Sequence, residues 1–89
     1  MKKLESKVAV VYGDGAVGGA IAKAFAREGA RIFLTGRTLT KLDIIADEIL
    51  RAGGIVETAK LNALNEQSVE DHMNEVINRT GKIDMQGMY

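Results

Sequence analysis

The sequence predicts an α/β fold, half of a doubly wound domain in which a parallel sheet forms the middle of three α/β/α layers. Two observations lead there. Short apolar runs, suited to strands covered on both faces, alternate with longer segments whose apolar residues recur at helical spacing. Glycines fall at most of the boundaries between them. The order that results, β-α-β-α-β-α, calls for a parallel sheet with right-handed crossovers.

The first strand is Val8–Tyr12, a continuous apolar run between Lys7 and Gly13. Val17, Ile21 and Phe25 then recur every four residues with Ala22 beside them, while Lys23, Arg27 and Glu28 lie opposite. This is an amphipathic helix ended by Gly29. Residues 32–35 form a second short apolar run, stopped by Gly36. Leu39, Leu42, Ile45, Ala46, Ile49 and Leu50 share one face of a second helix, which Gly53 and Gly54 terminate. Residues 55–61 read as a third strand, and Glu57, Thr58 and Lys60 make it polar enough for a sheet edge. Val69, Met73, Val76, Ile77 and Thr80 line a third helix that Gly81 stops, with His72 flanking the apolar face as a structural residue. Beyond it, "KIDM" starts a fourth strand that does not develop.

The chain has 89 residues, enough for one small domain spanning residues 1–89. With 46% hydrophobic and 27% charged residues it is globular, and a net charge of zero gives no footprint for nucleic acid or an anionic membrane. It has no cysteine, which excludes disulfides and thiolate metal sites, and one histidine cannot build a histidine metal cluster. No apolar run approaches a membrane span, and the first residues lack a signal-peptide core, so the expected location is cytoplasmic.

The segment with most chemical content is Gly13-Asp14-Gly15-Ala16-Val17-Gly18, a G-x-G-x-x-G turn between a predicted strand and a predicted helix. Gly13 allows the tight turn, Gly15 lets the backbone approach a pyrophosphate, and Gly18 lets helix and strand pack closely. The N–H groups and dipole of the helix start favour phosphate. A glycine-rich turn kept for geometry alone is the competing reading. Asp14 would repel a phosphate unless it points outward to solvent, which is the expected orientation.

"KVAVVYGDGAVGGAIAKAFAREGARIFLTGRTLTKLDIIADEILRAGG" resembles the N-terminal third of a short-chain dehydrogenase/reductase, with the likeness covering about residues 7–84. Its most specific parts are the glycine turn, "AREGARIFLTGR" and "GKID". The resemblance implies a Rossmann fold that binds a nicotinamide dinucleotide. The family's turn usually reads T-G-x-x-x-G-x-G. Here Tyr12 replaces the threonine and the loop is one residue shorter, coinciding with the G-x-G-x-x-G of other dinucleotide-binding proteins.

The residues after the second strand bear on which dinucleotide. An acid there would accept hydrogen bonds from the adenosine ribose and indicate NAD. The window Leu34-Thr35-Gly36-Arg37-Thr38 has none, and Gly36 stands where the acid would be. Arg37 can clamp a 2′-phosphate with two charge-assisted bonds, and Thr38 adds a hydroxyl, so NADP is expected over NAD. The alternative is that Arg37 is a solvated charge at a helix start. In the resembling family a Gly-Arg pair here goes with NADP, and Asn62 falls where an Asp commonly contacts adenine. An amide can also bond a base edge.

The resemblance also shows what is absent. The family's chemistry uses a Ser, and a Tyr four residues before a Lys. Here Tyr12 is followed by Ala16, and Tyr89 is the last residue. The expectation is a truncated module that binds NADP(H) and does not catalyse hydride transfer by itself. The alternative is a structural or self-associating α/β module whose nucleotide loop is vestigial. If "KIDM" fails as a strand, the first strand keeps an open edge, and a homodimer or larger species is expected along it. The competing arrangement has residues 82–89 folding back over that edge.

Overall fold

A computed structural model describes residues 3–62 and 64–88. The order is β1 (Val8–Tyr12), α1 (Ala16–Arg27), β2 (Arg31–Gly36), α2 (Leu39–Arg51), β3 (Ile55–Lys60), α3 (Glu66–Thr80) and β4 (Met85–Met88). The four strands form one sheet in the order β3-β2-β1-β4. All of its pairings are parallel: Val10 lies opposite Phe33 and Gln86, and Phe33 lies opposite Glu57.

Alternation along the strands divides the core. Ala9, Val11, Ile32 and Leu34 face α1 and α2, where they meet Ala22, Ala26, Leu42, Ile45 and Ile49. Val8, Val10, Tyr12 and Phe33 face the other way and are covered by Val76 of α3, with Val69 and Met73 half-buried beside it. The expected three-layer α/β/α architecture is therefore present, and β1 is buried along its whole length.

Three expectations need correction. First, the run after Gly81 does become a strand. β4 pairs with β1 from Ala9 opposite Met85 to Tyr12 opposite Met88. Its sequence, Met-Gln-Gly-Met, has little intrinsic strand preference, so the pairing comes from its neighbour rather than from propensity. Asp84 seeds it, since its N–H donates to Val8 O at 2.9 Å while its carboxylate accepts from Val8 N at 2.7 Å. The order is thus β-α-β-α-β-α-β. The open β1 edge, the reason for expecting a homodimer there, is occupied by the chain's own residues 85–88; Tyr89 lies outside the described residues.

Second, α1 buries a stripe shifted from the one its larger residues suggest, with Phe25 half-buried against the core. Gly18, Gly19, Ala22 and Ala26 are buried, whereas Val17 is 64% exposed. The small residues let α1 approach closely: a Cβ on Gly19 would lie 3.1 Å from the Ile45 side chain of α2. Third, α2 buries Leu42, Ile45 and Ile49, but Leu39 and Leu50 at its two ends are exposed.

The polar edge expected for β3 is tied down by charge. Glu57 accepts from Arg31 at 3.0 Å and from Arg79 of α3 at 2.6 Å, and both guanidinium groups lie over the Phe33 ring. The hydrogen bond from Arg79, reinforced by Arg31, holds the Glu57 carboxyl below its usual value. The Val8 N–H does the same for Asp84, aided by Lys82. Burial between Tyr12 and Phe33 pushes the His72 imidazole down. All three shifts have one sign. The unfolded chain binds more protons than the folded one below each group's ordinary value, so stability is present at neutral pH and is lost as acid drives each group through its lowered value. We expect the urea midpoint to fall first as pH drops below about 6.5, where His72 titrates, and again below about 4.5, where Glu57 and Asp84 do, with Asp84→Asn reducing the slope only in that lower range. A midpoint that rises on acidification would contradict these assignments.

Candidate nucleotide-binding site

The carboxyl ends of β1, β2 and β3 open into one groove of about 490 Å³, whose lining includes Tyr12, Gly13, Asp14, Gly36, Arg37 and Asn62. Small-molecule sites commonly span roughly 300–1,000 Å³ and, in open α/β sheets, lie outside these strand ends. A second depression of about 330 Å³ lies between α1 and α2 around Lys23, Ala26 and Ile49. It is remote from the strand ends, and Lys23 there is already paired with Glu48 at 2.7 Å. The strand-end groove is therefore the candidate site.

Its first wall is the glycine turn. Gly13 leaves β1 with φ +153°, a conformation that side-chain-bearing residues rarely adopt, while its N–H donates to Thr35 O at 2.8 Å. Gly18 is buried beneath the loop, and a Cβ there would stand 2.5 Å from Gly13 O. Gly15 differs from both. It is the N-cap of α1, with φ −86° and ψ −173°, and a Cβ on it would meet nothing within 4 Å. Ala16 and Val17 stand exposed on the first turn. No side chain caps α1 and its first turn holds no acid, so the leading N–H groups and the positive end of the helix dipole are left for a ligand. The loop fits a phosphate in its backbone donors and in the open space at Gly15.

The second wall is formed by the β2 and β3 ends. Arg37 Nη2 donates to Asn62 Oδ1 at 3.3 Å, and that oxygen also accepts from Leu64 N at 3.0 Å. Two candidates taken from different loops thus meet across the groove. Asn62 also fixes its own turn, as the turn-residue reading expects. Thr38 is the N-cap of α2, yet its hydroxyl makes no capping bond. Its N–H instead donates to Asp14 Oδ2 at 2.8 Å.

That bond corrects the expectation for Asp14. The side chain is half-buried and turned toward β2 rather than outward to solvent. Gly36 makes room for it, because a Cβ on Gly36 would fall 2.7 Å from the Asp14 Cβ and 2.9 Å from its Cγ. Gly36 is therefore a site residue in its own right, as the space in which a carboxylate sits. Its place at the end of the second strand was visible in the sequence, but its contact with Asp14 of the glycine turn was not. Tyr12 closes the floor; burial raises its phenol, and its hydroxyl is buried without a hydrogen-bond partner among the described residues.

A parallel sheet with a glycine turn after its first strand, a basic loop after its second and helices on both faces defines a Rossmann-like α/β half-domain. The sequence profile of the short chain dehydrogenases matches residues 7–86. The chain belongs to the short-chain dehydrogenase family. It is 34% identical over 86 residues to an uncharacterized oxidoreductase of Mycobacterium tuberculosis, a match that covers 96% of this chain and 33% of that protein. A metagenomic short-chain oxidoreductase solved in complex with NADP superposes with a TM-score of 0.89 at 32% identity, over 93% of this chain and 38% of the other. A protein from Haemophilus influenza with bound NAD superposes at 0.84 with 27% identity, over 96% and 31% of the two chains. The chain spans about a third of the length of the curated relatives it matches.

Among the described residues no helix is long and apolar enough to cross a membrane, and no group of three or more His, Asp or Glu side chains is placed to hold a metal ion.

Proposed function

We propose that the chain is the dinucleotide-binding portion of an oxidoreductase and prefers NADP(H) to NAD(H). The observation that carries this reading is the β2 end, where Gly36 replaces an acid and Arg37 reaches over the groove to Asn62. A guanidinium in that place offers a planar pair of donors to a 2′-phosphate. The Gly13–Gly18 backbone and the uncapped start of α1 hold the pyrophosphate, and Asn62 faces the adenine. The NADP-bound relative supports the same choice, although a relative with NAD shares the fold. When bound, the nicotinamide supplies a hydride acceptor or donor; this chain's own residues bind and orient.

Titration with NADPH, NADH and ATP, followed by cofactor fluorescence and by amide shifts at Gly13–Gly18, tests the reading. NADPH is expected to bind most tightly. No binding of either nicotinamide dinucleotide would leave the alternative, an α/β module with a vestigial nucleotide loop.

The 89-residue chain alone is expected to turn over no ketone, aldehyde or alcohol. General acid–base work on a substrate oxygen needs a group of tuned pKa within reach of it, and Tyr12, the tyrosine at the groove, has Ala16 rather than a lysine four residues on. NADPH consumption by the pure chain that depends on substrate would overturn this expectation.

A further inference from the structure

We propose that Asp14 is a second cofactor-selecting residue, a carboxylate delivered from the glycine loop to the place where the end of β2 lacks one, and that it opposes Arg37. The proposal rests on the dinucleotide reading above.

The geometry is specific. The Cβ direction at Gly36, where an acid of the second strand would begin, runs into the Asp14 side chain, with Cβ, Cγ and Oδ2 at 2.7, 2.9 and 3.0 Å. Gly36 and Asp14 together therefore fill the volume that a single acidic residue at position 36 would occupy. The carboxylate is anchored by the Thr38 N–H at 2.8 Å, the backbone donor that follows Arg37. It thus takes the Thr38 N–H in the groove that Arg37 also lines.

A ribose with a free 2′-hydroxyl can donate to this carboxylate, whose second oxygen keeps its acceptor capacity. A 2′-phosphate cannot donate to it. The phosphate brings like charge to the same groove and must displace Asp14 from Thr38 or bind near it against repulsion. Arg37 and Asp14 then act with opposite sign on the same discrimination. Arg37 favours the phosphate, and Asp14 favours the hydroxyl. The chain's selectivity is the difference between the two.

The test compares the full chain with Asp14→Ala and Asp14→Asn, titrating each with NADPH and NADH. Adenosine 2′,5′-bisphosphate and adenosine 5′-monophosphate serve as probes of the adenosine end alone. Asp14→Ala is expected to raise the NADPH-to-NADH affinity ratio roughly tenfold, through tighter NADPH and weaker NADH, with the same change in the fragment pair. Asp14→Asn keeps an acceptor for the Thr38 N–H and loses only the charge, so NADPH should tighten while NADH changes little. A ratio that moves less than about twofold in both variants, or equal weakening of both cofactors, would reduce Asp14 to a loop support and overturn the proposal. Folding is checked by the urea midpoint of each variant. If parent and variants all bind neither dinucleotide, the site reading itself fails and the proposal falls with it. Binding with an unchanged ratio removes the proposal alone.

Discussion

Arg37→Glu is expected to abolish the preference for NADPH, lowering its affinity roughly ten- to a hundredfold while NADH changes far less. The lost contact is a charge-assisted one, worth about 1.5–3 kcal/mol, and the new carboxylate adds repulsion toward the 2′-phosphate. Arg37 is exposed, and its hydrogen bond to Asn62 is long at 3.3 Å, so its loss should leave the fold intact. Folding can be followed separately through the urea midpoint. Because the phosphate term is electrostatic, the preference of the parent chain should also shrink as salt rises. Equal affinities of the parent for the two cofactors would refute the role given to Arg37.

The experiment has a built-in contrast in the neighbouring loop. Arg37→Glu and Asp14→Ala change charge on the same groove in opposite senses. The first should move selectivity toward NAD and the second toward NADP. If both moved it the same way, the effect would belong to loop disorder rather than to charge.

How much of this was legible in the sequence depends on the range of the interactions. β1 was readable to the residue because a strand buried on both faces is a continuous apolar run, here Val8–Tyr12 between a lysine and a glycine. The polar β3 edge was readable because Glu57, Thr58 and Lys60 announce an exposed strand. β4 was not, because Met85–Met88 is a strand only by pairing with β1 and through the two bonds between Asp84 and Val8. The buried stripe of α1 was legible only in part, since Ala22 and Phe25 meet the core and Val17 does not, for a related reason. Spacing alone favours Val17, Ile21 and Phe25, but a helix that must pass close to β1 and to Ile45 buries its glycines and alanines. In the candidate site, the G-x-G-x-x-G turn and Arg37 were legible as local patterns. The Asp14–Thr38 bond joins residues 24 positions apart and has no local pattern.

The glycine turn permits a second large effect to be separated into binding and folding. Gly15→Val is expected to remove measurable dinucleotide binding while the chain remains folded. Its backbone, at φ −86° and ψ −173°, is one that any residue adopts, and a Cβ there points into open space. That open space is where the pyrophosphate must come close to the backbone, so the branched side chain excludes the ligand. The cost to stability should be small, because the entropy gained by replacing glycine offsets the poorer helix N-cap that valine makes. Gly18→Ala should behave in the opposite way. Its Cβ would lie 2.5 Å from Gly13 O and 3.0 Å from Gly13 C, which is backbone and cannot step aside as a side-chain tip can. The loop or the start of α1 must shift, at a cost of about 2 kcal/mol or more, a large fraction of what so small a domain can hold. Urea denaturation and NADPH titration of both variants distinguish the two cases. Gly15→Val should keep its midpoint and lose binding, whereas Gly18→Ala should lose midpoint first and binding with it. Full NADPH affinity in a folded Gly15→Val chain would place the ligand away from this turn.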